Sequence, residues 1–234
     1  MKRSIQNGFT LVELMVVILV LGILGGVLSV AVYSAFSKSG EAETQSIIET
    51  LGSGVDRFNM RWHYYPQASL YQLSTGMSRN GFVVGAPNST NEGIECLVMA
   101  LRTREGGGPF IGNEFLTQYQ SNTDADEITD NFANIEGNLK LFEIRDGWLN
   151  PLVYVNLLDL KVNPALKSIP ITIKCDDGPD QIIDLNELEA KLVDPETGLA
   201  VAKGWCIWSF GPDGINDYGR ADDITSWPKI IAVE

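Results

Sequence analysis

The chain has 234 residues, enough for one sizeable globular domain with an appendage and too few for two comfortable domains. Its formal charge is −13, from 17 basic and 30 acidic residues, which argues against nucleic acid as a partner, because that binding depends on neutralising phosphates. One histidine, three cysteines and no CxxC pair speak against a zinc site.

The first eight residues, MKRSIQNG, are polar and basic, and FTLVELMVVILVLGILGGVLSVAVYSAF follows directly. From Leu14 to Tyr33 the only polar interruption before the tyrosine is Ser29. Twenty helical residues span about 30 Å, the thickness of a bilayer core. Lys2 and Arg3, with no basic cluster just beyond the run, predict an N-terminus that stays in the cytoplasm. A secretory signal would have a shorter apolar region and a small-residue cleavage site after it. Neither that nor a plain anchor accounts for Glu13, since a carboxylate inside a membrane segment costs about 2.5–3.5 kcal/mol. The bland reading of Glu13 is a residue near the segment end whose carboxylate reaches the headgroups.

The string Gly8-Phe9-Thr10-Leu11-Val12-Glu13 ahead of an apolar helix resembles the processing signal of type IV prepilins and type II secretion pseudopilins. The resemblance implies cleavage between Gly8 and Phe9 by a prepilin peptidase, N-methylation of Phe9, and retention of the helix. Residues 1–8 are then a leader and 9–36 a membrane and polymer core. Glu13 would neutralise the N-terminal amine of a neighbouring subunit's Phe9, so that pairing favours docking and sets axial register. Many relatives carry a proline late in the apolar segment, whereas this chain has none between Phe9 and Tyr65. Gly22, Gly25 and Gly26 stand there instead, as a flexible point or as close-packing positions.

Beyond Gly40, the spacing of Ile47, Ile48, Leu51, Val55, Phe58 and Trp62 places them on one helical face, with Gly52 and Gly54 weakening the middle. A helix over 9–62 would be ~80 Å long. Pro66 enforces its end, and the resemblance to type II secretion pseudopilins implies a short helix after it, at Leu70-Tyr71-Gln72-Leu73. His63 has no nucleophile context such as GxSxG and reads as a member of an aromatic cluster, so an enzyme is not expected. Residues 76–92 read as a loop, 93–102 as a short buried helix closed by Gly106-Gly107-Gly108-Pro109, and 110–137 as an irregular insertion holding Asp124 and Asp126. Strands are predicted over 138–144, 152–157, 170–174 and 205–210, with a short helix over 182–192 inside an extra hairpin. Element order predicts an α+β roll over 63–234, a long helix packed on a small antiparallel sheet. In an exported domain one disulfide and one free thiol are expected, and Cys175 and Cys206, both in strand-like runs, are the chosen pair. Three buried small apolar residues are the alternative.

The C-terminal loop carries Asp213, Asp217, Asp222 and Asp223, four carboxylates within eleven residues, with Asn216 between them. Hard oxygen ligands suit calcium, although a solvated acidic turn has the same composition. It is no EF-hand, since Tyr218 and Ile224 occupy the positions that need Gly and Glu. Asp146-Gly147-Trp148-Leu149-Asn150-Pro151 and the Ser209-Phe210-Gly211-Pro212-Asp213-Gly214 segment, followed by Asp222-Asp223-Ile224 and Trp227, resemble the major pseudopilins of type II secretion, with Leu149 where a glycine is common. The resemblance implies one structural calcium in the loop. It also implies self-assembly into a periplasmic pseudopilus, with minor pseudopilins and an inner-membrane assembly platform as partners. The subunit would be anchored by one pass through the inner membrane, with its globular domain in the periplasm. A surface type IV pilus subunit, for adhesion, motility or DNA uptake, is the alternative. Such pilins more often close the C-terminal region with a disulfide than with an acidic loop.

Overall fold

Helix α1 runs from Leu11 to Trp62 in a computed structural model that describes residues 11–69, 90–126, 141–175, 178–202 and 204–228. Residues 1–39 and 40–234 form two compact units. The helix continues through Gly22, Gly25 and Gly26. From Gly40 onward its pattern is amphipathic: Ile47, Ile48, Leu51, Val55 and Phe58 are buried, and Trp62 packs at the margin of the same core. Each such side chain contributes about 1.5–3 kcal/mol when fully buried. Gly52 and Gly54, which weaken the helix locally, make room for Trp205 and Leu101, since a Cβ on either would meet the opposing side chain at 3.0 Å. The helix ends where His63 turns left-handed (φ 60°), three residues ahead of Pro66. His63 is exposed, and it is Tyr64 that meets Phe58 edge-on, at 5.5 Å between ring centroids. The Pro66 carbonyl then accepts hydrogen bonds from Tyr154 Oη (2.7 Å) and Asn156 Nδ2 (3.0 Å), which ties the exit of α1 to the sheet.

The central sheet is antiparallel, in the order β3 (Val153–Asn156), β6 (Trp205–Ser209), β7 (Ile224–Thr225). Side chains alternate across a strand, and here both faces are covered. Tyr154, Ile207 and Ile224 point into a first core with α1, α2 (Glu92–Arg102), Phe110, Ile111, Leu116 from α3 (Asn113–Tyr119), and Ile144. Val153, Val155, Cys206 and Trp208 point into a second core with α4 (Leu157–Val162), α5 (Leu185–Lys191), Ile173 and Ile183. This double burial is why LVYV and WCIW read as unbroken apolar runs. Two smaller antiparallel pairs complete the α+β fold: β1 (Gln120–Ser121) with β2 (Glu143–Ile144), and β4 (Ile171–Ile173) with β5 (Gln181–Ile183).

The long helix on small antiparallel sheets is the predicted class, but several local expectations change. Residues 113–121, read as irregular, form α3 and β1. The segment 182–192 splits into the end of β5 and α5, because Asp184 Oδ1 accepts from Asn186 N (2.8 Å) and Glu187 N (3.4 Å) and caps a new helix. The first predicted strand is described only as Glu143–Ile144, its start at 138–140 and the short helix at 70–73 lying outside the described residues. Cys96, Cys175 and Cys206 are all buried thiols, and the Cys175–Cys206 disulfide is not formed. Cys175 and Cys206 belong to the second core as small apolar groups.

Candidate functional site

The C-terminal acidic loop is suspended between paired strands, because Trp208 pairs with Thr225 and Ser209 with Ile224. Chain reversal inside it uses positive φ at Gly211, Gly214, Tyr218, Gly219 and Ala221. At Gly219 (φ 81°) a Cβ would stand 2.3 Å from the Trp227 ring, so only glycine fits. One oxygen from each of Asp213, Asp217 and Asp222 lies within 4.8 Å of the others, with Asp213 exposed and the other two half-buried. That spacing and the all-carboxylate donor set fit a hard divalent cation bound at 2.3–2.6 Å.

Asn216 and Asp223 do other work. Asn216 Oδ1 accepts from Trp208 Nε1 and from Tyr218 N, both at 3.1 Å. Asp223 is fully buried, and its Oδ2 accepts from Gly219 N (2.7 Å) and Asp217 N (3.1 Å). Burial pushes the Asp223 carboxyl up to about 7, against the pull of those two N–H groups. Both residues shape the backbone that presents the three clustered carboxylates. Among the described residues no ion pair joins Arg220 to any of them, and Arg220 Nε is buried without a hydrogen-bond partner.

A second turn holds this loop from outside. Asp146 Oδ1 accepts from Trp148 N and Asn150 N, both at 2.9 Å, and its Oδ2 accepts from Ser209 Oγ at 2.5 Å. Ser209 Oγ in turn accepts from Gly211 N at 3.0 Å. Leu149 takes φ 71° inside this turn, which explains why glycine suits the position. Gly147 N donates to Thr44 Oγ1 of α1 at 2.9 Å. The backbones cross so closely there that a Cβ on Gly147 would stand 2.5 Å from the Gly40 oxygen. The sequence motifs pointed to this turn and this loop, but not to Asp146 and Ser209 as the hydrogen-bonded link between them.

In the N-terminal unit the described side chains from Leu11 to Phe36 are exposed, including Leu14, Ile18, Leu21 and Leu28. A helix apolar on every side is buried by something, either a membrane or other helices. Its length and composition suffice to cross a membrane. Ser29 Oγ donates to Gly25 O at 2.8 Å, so its hydroxyl is satisfied within the helix itself. Glu13 lies in the first turn, where the positive end of the helix dipole favours a carboxylate. Gly8 and Phe9 lie outside the described residues. Residues 3–29 match the prokaryotic N-terminal methylation motif.

The chain carries a prepilin-type signal. The motif points to type IV pilin-like proteins, which are structural subunits and not enzymes, and implies processing by a prepilin peptidase and pilin-type assembly. The apolar helix that follows fits a single-pass membrane anchor. No curated protein and no solved structure matches the chain.

Proposed function

We propose that this pilin-like chain is the major subunit of a type II secretion pseudopilus. The N-terminus would lie in the cytoplasm and the globular domain in the periplasm, and calcium would be held by Asp213, Asp217 and Asp222. The observation that carries the reading is the closure of the C-terminal region: an acidic loop strung between β6 and β7, where surface pilins more often have a disulfide. Lys2 and Arg3 ahead of the apolar helix support the orientation. Calcium would neutralise the mutual repulsion of the three carboxylates. The remaining order belongs to the chain. Asn216 and Asp223 fix the loop backbone through Trp208, Tyr218, Gly219 and Asp217, and Ser209 fastens its start to Asp146.

Assembly would use the N-terminal unit. After cleavage, the Phe9 amine of one subunit would pair with Glu13 of another, because an unpaired carboxylate among apolar helices is costly. The apolar helices supply the rest of the contact, and the minor pseudopilins and the inner-membrane platform start and drive growth. Deleting the gene in its own host tests the assignment. Loss of secreted proteins from the medium with surface fibres intact is expected. Loss of surface fibres with secretion unchanged would overturn the assignment in favour of a surface pilus subunit.

A further inference from the structure

A second acidic constellation lies in the first core, remote in sequence from the C-terminal loop. Glu95 sits on α2 with 0% exposure, among the core residues Ile94, Leu97 and Val98. Neither of its carboxylate oxygens has a hydrogen-bond partner. A buried carboxylate without hydrogen bonds or a counter-charge is strongly disfavoured, so a fold that keeps one supplies something to meet it. The charges acting on Glu95 are those of Asp126, Asp124, Glu143 and Glu92, and all four are acidic.

One oxygen each from Glu95, Asp124 and Glu143 lies within 4.8 Å of the others. Oxygens on opposite sides of one calcium ion, bound at 2.3–2.6 Å, stand about that far apart. The three ligands come from three elements: α2, the loop after β1, and β2. Glu143 is also oriented from behind. Its Oε1 accepts from Asn91 Nδ2 (2.8 Å), Thr123 Oγ1 (2.9 Å) and Thr123 N (3.1 Å). Asn91 is itself buried and clamped, donating N–H to Thr172 O (2.8 Å) and accepting from Lys174 N (3.0 Å). Outer partners that hold a ligand carboxylate in place are a recurring property of metal sites. In the same loop, Asn122 Oδ1 is buried without a hydrogen-bond partner, a further hard oxygen.

A neutral Glu95 is the competing explanation, since burial first and its acidic neighbours second push it up to about 10. Protonation removes the charge but leaves a buried carbonyl oxygen that receives no hydrogen bond. A cation answers both deficits. We propose that Glu95, Asp124 and Glu143 form a buried site for a hard divalent cation of the calcium class, with Asp126 adding negative charge beside it. The set contains no sulfur or imidazole, which sets it apart from zinc sites. Such an ion would join α2, β2 and the intervening loop inside the domain.

The test uses full-length protein in detergent, stripped with chelator and titrated with calcium chloride alone. It is run in the Asp213→Asn/Asp217→Asn/Asp222→Asn background, which removes all three clustered loop carboxylates, so the result is independent of whether that loop binds calcium. One equivalent of bound calcium and a rise in Tm are expected in this background, and both are lost on adding Glu95→Gln or Asp124→Asn. Asp124 lies in a loop, so its variant should keep the wild-type circular dichroism and report on the ligand alone. No calcium uptake by the background variant would overturn the proposal. So would uptake and Tm left unchanged by Glu95→Gln, because glutamine mimics the neutral acid.

Discussion

Replacing Ser209 with alanine removes one hydroxyl that serves two buried groups. The Asp146 carboxylate loses the donor at 2.5 Å and keeps Trp148 N and Asn150 N, while the Gly211 N–H loses its acceptor at 3.0 Å. A buried polar group stripped of a partner costs about 1–3 kcal/mol. Two such groups, less the desolvation that the serine hydroxyl no longer incurs, give about 2–4 kcal/mol. For a domain of residues 40–234, each kcal/mol corresponds to about 2–4 °C, so Tm falls by about 5–15 °C. The assay is thermal unfolding of full-length protein in detergent, followed by near-ultraviolet circular dichroism, which reports on Trp148, Trp208 and Trp227 around the link. Asp146→Asn and the double variant complete a cycle, and the double change should cost clearly less than the two single changes together, because they remove the same bond. A Tm within about 2 °C of wild type for Ser209→Ala would refute the reasoning. So would strict additivity, since it would mean that the bond between the two motifs carries no weight.

Gly147→Ala places a methyl group 2.5 Å from the Gly40 oxygen and 2.7 Å from its Cα, so helix and turn must separate. A loss of about 1–3 kcal/mol is expected from such overpacking and is read as a lower denaturation midpoint. Burial raises Asp159 from its ordinary 3.8 to about 6. The folded state therefore holds the proton more tightly than the unfolded chain, and the penalty for ionising is absent below about pH 4, grows through that interval and is complete above about pH 6. Asp159→Asn should raise stability by about 1 kcal/mol at pH 7, after discounting for its partial exposure, and leave it unchanged near pH 4; equal effects at both pH values would exclude an electrostatic origin. Glu13→Leu should abolish fibre assembly in cells while the globular domain keeps its Tm, and normal fibres would contradict the pairing with Phe9.

The sequence was most informative where one signal acted alone. The spacing of Ile47, Ile48, Leu51, Val55 and Phe58 named the buried face of α1, because one-sided burial leaves a clear period of 3.6, and the apolar run over 93–102 marked α2, which is buried on most of its circumference. It was less informative where two layers compete for one strand. Alternation is erased in β3 and β6 because both faces are covered, so nothing in LVYV announces a second core. The partners of that core, Leu157, Leu160, Ile183 and Leu188, fell in a stretch with no assigned contacts. Asp184 followed three residues later by Glu187 was the available signal for α5, an N-terminal acidic cap. In the loop, four aspartates look alike on paper. Only packing separates the three that cluster from Asp223, whose carboxylate accepts backbone N–H groups. Glu95, Asp124 and Glu143 lie too far apart along the chain for any spacing rule to gather them.

The two-sided sheet also bears on when this molecule can fold. Both cores need β6 and the segment after it, Ile224 for the first and Trp227 for the second, while the first core equally needs Ile47 to Phe58 far earlier in the chain. Contacts such as Gly147 to Thr44 and Tyr154 to Pro66 close loops of 103 and 88 residues before their enthalpy is realised. A chain supplied from its N-terminus therefore cannot consolidate in stages. It remains uncommitted until its last strands arrive, and then closes both layers together, a slow, late and cooperative step typical of folds built from distant pairings.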